Sequence, residues 1–206
     1  MTFSAEISRR EFGLWYTFIM NLLTMSDRYT KTADDILQSS GLAHVLGKYG
    51  RIEFEGAYAG NVMLHGDIDI KVIRKEKFTV DDIFIILRDL HDTCGDNFRS
   101  YFLKRDWDDP RIGEQFPNGQ YIGIKTYRGD ERWKCDIWFM TEAESVRDKQ
   151  KIDISKTKLS EKQRMTILEF KEYSKEHNLK VSGQEIYEAV LERGESEPAD
   201  YFNKED

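Results

Sequence analysis

The chain has 206 residues, 39% hydrophobic and 33% charged, with a formal net charge of −7. This length and apolar content suit one soluble domain, or one core with a small helical appendage, and exclude a globally disordered chain. The negative charge argues against a long RNA or DNA acceptor, because nucleic-acid backbone is repelled unless a basic patch is set apart.

Residues 8–25 read as a helix, because Phe12, Trp15, Tyr16, Ile19, Leu22 and Leu23 recur at three- and four-residue spacing. Ser8-Arg9-Arg10-Glu11-Phe12 looks like a twin-arginine export signal, but no small-x-small cleavage site follows it. The apolar run is also too short and polar to span a bilayer, so a packed helix is expected and no membrane. A second helix is expected over 32–47, with Thr32 as its cap and Gly47 and Gly50 at its end. A strand around 51–58 leads into a turn of small residues, and another runs to about Ile73. Asp81 to Cys94 reads as a helix with Ile83, Ile86, Leu87 and Leu90 as its buried stripe and Asp81 and Asp82 at its positive end. Phe98 to Leu103 reads as a strand. Residues 104–120 hold Pro110, Gly113, Pro117 and Gly119 and read as a long loop. Its Asp106, Trp107, Asp108 and Asp109 either reach a substrate or form a solvated acidic loop.

Tyr121–Arg128 and Arg132–Met140 form the clearest hairpin, with Gly129-Asp130 as its turn. A two-residue turn sets Arg128 against Glu131. Counting back pairs Ile124 with Cys135 and Ile122 with Ile137 on one apolar face. On the other face Gly123 meets Asp136, Lys125 meets Lys134, and Tyr121 meets Trp138. A carboxylate opposite a glycine has room beside it for a metal and a substrate. Beyond Met140 the composition shifts to helix formers. Ser160–His177 is one expected helix, Ser182-Gly183-Gln184-Glu185 opens another, and an acidic tail from Gly194 is expected to be mobile. The expected division is a catalytic domain over 1–150 that includes two N-terminal helices, a helical appendage over 151–194 and the tail over 195–206. Cys94 and Cys135 have neither disulfide nor metal-type spacing, so a reducing, cytoplasmic setting is expected. No Walker-type loop and no Ser-His-Asp arrangement stands out; His65 alone of the histidines lies near a motif.

That motif is Gly56 to Ile70, where Gly56-Ala57 is followed, after nine residues, by Asp67-Ile68-Asp69-Ile70. Acidic residues are depleted in strands. Alternation puts Asp67, Asp69 and Lys71 on one face, with the two carboxylates about 7 Å apart. Such a pair repels unless a cation sits between them, and Mg2+ with oxygen ligands is the natural candidate. Asp106-Trp107-Asp108 and Ile152-Asp153-Ile154 share part of the pattern without the glycine turn. A solvated edge strand is the plainer alternative for Asp67 and Asp69.

Turn, spacing and a third carboxylate, Asp136, on a later strand resemble the signature of the polymerase-β-like nucleotidyltransferase superfamily over roughly residues 50–140. Ala57 departs from it, standing where Ser or Gly is usual and leaving only backbone N–H donors. The resemblance implies an α+β fold, a mixed sheet of about five strands flanked by helices, with added N- and C-terminal helices. It implies Asp67 and Asp69 as metal ligands and Asp136 as metal ligand or general base. Gly56 and Ala57 would cradle the triphosphate, with Lys71, Lys125 and Lys134 as phosphate contacts by strand parity. The implied cofactor is Mg2+ or Mn2+, with an NTP, ATP first, as co-substrate. The implied reaction moves an NMP to a hydroxyl of a small-molecule or protein acceptor. A catalytically silent protein of this fold, binding a nucleotide or a protein partner, is the alternative that Ala57 keeps open.

Overall fold

A computed structural model describes residues 9–104, 119–147 and 152–203, with the backbone alone for residues 9–19, 104 and 147. The helix α1 (Arg9–Ser39) is followed by α2 (Leu42–Gly47), β1 (Arg51–Glu55), α3 (Gly56–Ala59), β2 (Gly66–Arg74) and α4 (Val80–Cys94). Then come β3 (Ser100–Lys104), β4 (Gln120–Arg128), β5 (Glu131–Thr141), α5 (Glu142–Arg147), α6 (Glu161–Glu176), α7 (Gly183–Tyr187), a π-helical turn (Glu188–Glu192) and α8 (Pro198–Phe202).

The strands form one mixed sheet in the order β1-β2-β5-β4-β3, with β2 and β5 parallel and the other neighbours antiparallel. Helices pack on the sheet, giving a mixed α/β architecture. The hairpin register is the one its alternation demands: Gly123 pairs with Asp136, Ile124 with Cys135, Lys125 with Lys134 and Tyr121 with Trp138. One sheet face, with Ile68, Ile70, Ile122, Ile124, Cys135 and Ile137, is buried with Ile36 of α1, Val45 of α2 and Ile86 of α4. A one-residue slip would bury Asp136 and expose Cys135, so packing and pattern enforce the same pairing.

A second core joins the chain around α3 to the C-terminal helices through Leu22, Val62, Leu64, Ile154, Leu168, Phe170, Ile186 and Tyr187. Polar contacts fix this docking at Asn61, whose φ is 52°. Short polar side chains tolerate that left-handed conformation best after glycine. Its carbonyl accepts from Ser26 Oγ at 3.1 Å and from Arg164 Nε at 2.7 Å, while Thr30 Oγ1 donates to Asn61 Oδ1 at 2.7 Å. Arg164 also pairs with Asp27 at 2.5 Å. One turn therefore ties α1 and α6 together.

Two boundaries differ from the sequence reading. The polar stretch 26–31 does not interrupt the first helix. It contains no Gly or Pro, Ser26 is fully buried against the Asn61 turn, and Thr32 Oγ1 donates back to Arg28 O at 2.9 Å instead of capping. The break falls at Ser40-Gly41, where Gly41 takes φ 80°. The segment after Gly194, expected as a mobile acidic tail, carries α8. Tyr201 is buried, packs on Phe170 at 5.6 Å and accepts from Arg193 at 2.6 Å, so aromatic anchoring outweighs the acidic composition. Both cysteines are free and buried, and no helix among the described residues is long and apolar enough to cross a membrane.

Candidate active site

Strand β2 presents Asp67 and Asp69, and β5 presents Asp136 directly beside Asp69. One carboxylate oxygen from each of the three lies within 4.8 Å of the others. Gly56, just before them, has φ 60°, and any Cβ there would collide with the Asp69 carboxylate. Only glycine meets both demands.

Lys134 Nζ lies 3.0 Å from Asp67 Oδ2 and 2.8 Å from Asp136 Oδ2. It supplies the positive charge the acidic face lacks. Burial works against its ammonium, but the hydrogen bond to Asp136 and the attraction of both carboxylates outweigh this and hold its pKa above the usual range. Asp67 is nevertheless raised, since burial outweighs the pull of Lys134. Asp69 is pushed up to about 7 by burial and by the charges of Asp67 and Asp136. Among the described residues, Asp67 Oδ1 is buried without a hydrogen-bond partner. An orphaned carboxylate oxygen beside two others that repel one another is a donor set that fits a hard divalent cation.

The remaining expected contacts fall in different places. Gly56 and Ala57 line a cleft of about 540 Å³ together with Asp67, Asp69 and His65. Lys71, Lys125 and Lys134 do not line it. Lys71 is buried and pairs with Glu55 at 2.6 Å, and Lys125 Nζ stands 4.1 Å over the Phe102 ring. His65 is exposed at the mouth, 3.9 Å from Asp67. The room expected beside Gly123 is filled by Tyr121, whose phenol would collide with any Cβ at that glycine and donates to Asp136 Oδ1 at 2.8 Å. Residues 105–118, with Asp106, Trp107, Asp108 and Asp109, lie outside the described residues. Asp153, the other partial match, sits in a turn that binds Ser155 and Lys156.

The opposite wall of the cleft comes from α6 and α7: Lys171, Ser174, Lys175, Ser182, Gly183, Gln184 and Tyr187. Lys171 Nζ donates to Val62 O at 3.0 Å and to Tyr187 Oη at 3.3 Å. Burial lowers it to about 8, against the pull of Asp69 and Asp67. Lys175, one turn on, lies at the rim and pairs with Glu172 at 3.2 Å. From the sequence, Ser182, Gly183 and Gln184 read only as a helix start, and Lys171, Ser174, Lys175 and Tyr187 have no site role. The only signal was a lysine pair at four-residue spacing, which reads the same on any solvated helix.

The site is thus three converging carboxylates on a mixed five-stranded sheet, beside a cleft walled on its far side by Lys171 and Lys175. Solved structures with similar folds include Cid1, which has RNA terminal uridylyl transferase activity, at 17% identity and a TM-score of 0.48 over 79% of this chain and 46% of that one. They also include GLD-2 of the GLD-2/RNP-8 complex, at 10% identity and a TM-score of 0.51 over 92% of this chain and 67% of that one. The chain thus spans less than half the length of the first and about two thirds of the second. No family model and no curated protein sequence matches it.

Proposed function

We propose that the protein is a metal-dependent nucleotidyltransferase that moves a nucleoside monophosphate from an NTP, ATP being the expected donor, to a hydroxyl of a small-molecule or protein acceptor. The observation that carries this reading is the convergence of Asp67, Asp69 and Asp136 within 4.8 Å beside a lysine-bearing cleft. The three carboxylates would hold Mg2+ or Mn2+. When bound, such an ion neutralises phosphate charge and eases deprotonation of a hydroxyl. Gly56 and Ala57 offer backbone N–H groups to the triphosphate, and Lys171 and Lys175 face it from the helical wall. Asp136 does not line the cleft. Beside Asp69 on β5, it would take the hydroxyl proton or complete the ligand set. The acceptor oxygen forms the new P–O bond at the α-phosphorus as the bond to pyrophosphate breaks in line. The net charge of −7 disfavours a long nucleic acid as acceptor.

The second reading is nucleotide or partner binding without turnover, favoured by Ala57. Its methyl packs against both cores, so no hydroxyl is offered where one would touch phosphate. Thermal shift with each NTP and Mg2+ tests both: a ligand at 100 times its Kd stabilises by about 2.7 kcal/mol. Pyrophosphate release across an acceptor panel supports transfer. Mg2+-dependent NTP stabilisation without any release favours the second reading, and no stabilisation by any NTP sinks both.

A further inference from the structure

Tyr121 has no part in the chemistry above, yet it touches the third carboxylate. It stands two residues from Gly123 on β4, directly opposite Trp138 of β5. A strand side chain normally stands away from the sheet. Here the ring lies along the strand over Gly123, where a Cβ would strike Tyr121 Oη, Cζ and Cε1. The Trp138 indole holds it from the side, with ring centres 5.0 Å apart and planes tilted by 54°. The phenol then donates to Asp136 Oδ1 at 2.8 Å, while Lys134 holds Oδ2 at 2.8 Å.

The two donors differ in kind. Lys134 sits on a half-exposed flexible arm shared with Asp67, so a cation entering the carboxylate cluster can displace it. Tyr121 is wedged between a bare glycine and an indole and has no such freedom. We infer that Tyr121 is a positioning residue for Asp136: by holding Oδ1 it leaves Oδ2 turned toward Asp67 and Asp69 for the metal. Gly123 is a glycine so that the phenol can reach. The inference rests on reading Asp136 as a metal ligand, a reading the same experiment tests separately.

The experiment titrates Mn2+ against the full chain without nucleotide, following free Mn2+ by EPR, with the unfolding temperature of each metal-free variant measured beside it. Tyr121→Phe keeps the ring and its packing and removes only the donor. Partners of metal ligands are worth about 10- to 100-fold in metal affinity. Tyr121→Phe is expected to weaken Mn2+ binding by that factor with little change in the metal-free unfolding temperature, and Gly123→Ala to weaken it likewise by displacing the ring. Wild-type Mn2+ affinity in Tyr121→Phe, together with loss in Asp136→Asn, overturns the positioning role and leaves the carboxylate site standing. A lowered unfolding temperature with unchanged Mn2+ affinity makes Tyr121 structural only and also overturns it. Unchanged affinity in Asp136→Asn removes Asp136 from the ligand set and the inference with it. Should Gly123→Ala fail to fold, Tyr121→Phe alone decides.

Discussion

The cleft has an acidic wall and a basic wall, and they are made in different ways. The acidic wall is a strand face: Asp67 and Asp69 alternate on β2, and Asp136 lies beside them on β5. The basic wall is a helix face: Lys171 and Lys175 reach the cleft only because α6 is docked by Phe170, Leu168 and the Arg164–Asn61 bond. A strand places chemistry by neighbouring residues and register. A helix outside the sheet places it by the packing of a second core, so chemistry and stability are separable on one wall and entangled on the other.

The sharpest way to break this contrast is Asp69→Asn, which is expected to abolish nucleotidyl transfer. Metal-free stability should stay level or rise, because the variant removes a buried carboxylate that its neighbours repel. A turnover assay paired with metal-free unfolding checks it, and retained turnover would move the site elsewhere. On the other wall Phe170→Ala should cost about 3–5 kcal/mol in urea unfolding and weaken NTP binding with it. An unfolding loss with NTP affinity intact would show that the basic wall does not need its core.

The pH dependence comes next in size. Asp69 is raised in the fold to about 7, above its unfolded value near 4, so the folded state binds the extra proton. Its contribution to stability is fully present below about pH 4 and is lost as pH rises through about 7, a change on the order of 4 kcal/mol. Metal-free unfolding from pH 4 to 8 should show this decline, and Asp69→Asn should flatten it. A slope unchanged in that variant would assign the titration to another group.

Lys171→Met should lower NTP affinity by roughly 10- to 100-fold, the worth of one charge-assisted hydrogen bond, and leave Mn2+ binding without nucleotide as it was. Parallel losses of both would mean that the two walls act as one unit. The smallest effect is expected for Asp153→Asn. Its ion pair with Lys156 is exposed and it does not line the cleft, so metal and NTP binding should match wild type.

The acidic wall was legible in part because strand alternation and turn geometry are local signals; Asp136 as its third member came from the resemblance to a known signature, not from a local pattern. Alternation sets the face of β2, the Gly129-Asp130 turn sets the hairpin register, and the register sets Asp136 beside Gly123. The basic wall was not legible, since nothing in Lys171-Glu172-Tyr173-Ser174-Lys175 says which way the helix turns. Tyr121 was placed correctly on its strand and face, but its hydroxyl was not. Its ring lies down because a glycine two residues away offers no side chain to stop it. The first helix was cut too early because polar residues 26–31 look like an interruption until Asn61 is brought against them.

The sequence by itself determined the strand faces on which Asp67, Asp69 and Asp136 stand and the pairing of β4 with β5. Strand periodicity and turn geometry act over a few residues, so a linear pattern contains them. Only the tertiary structure decided that Lys134 would lie between Asp67 and Asp136, that Tyr121 would hold the other oxygen of Asp136, and that Lys171 would close the cleft from a helix a hundred residues along the chain. Those placements depend on which apolar faces find each other in the second core, and many sequence-distant packings share the same local pattern.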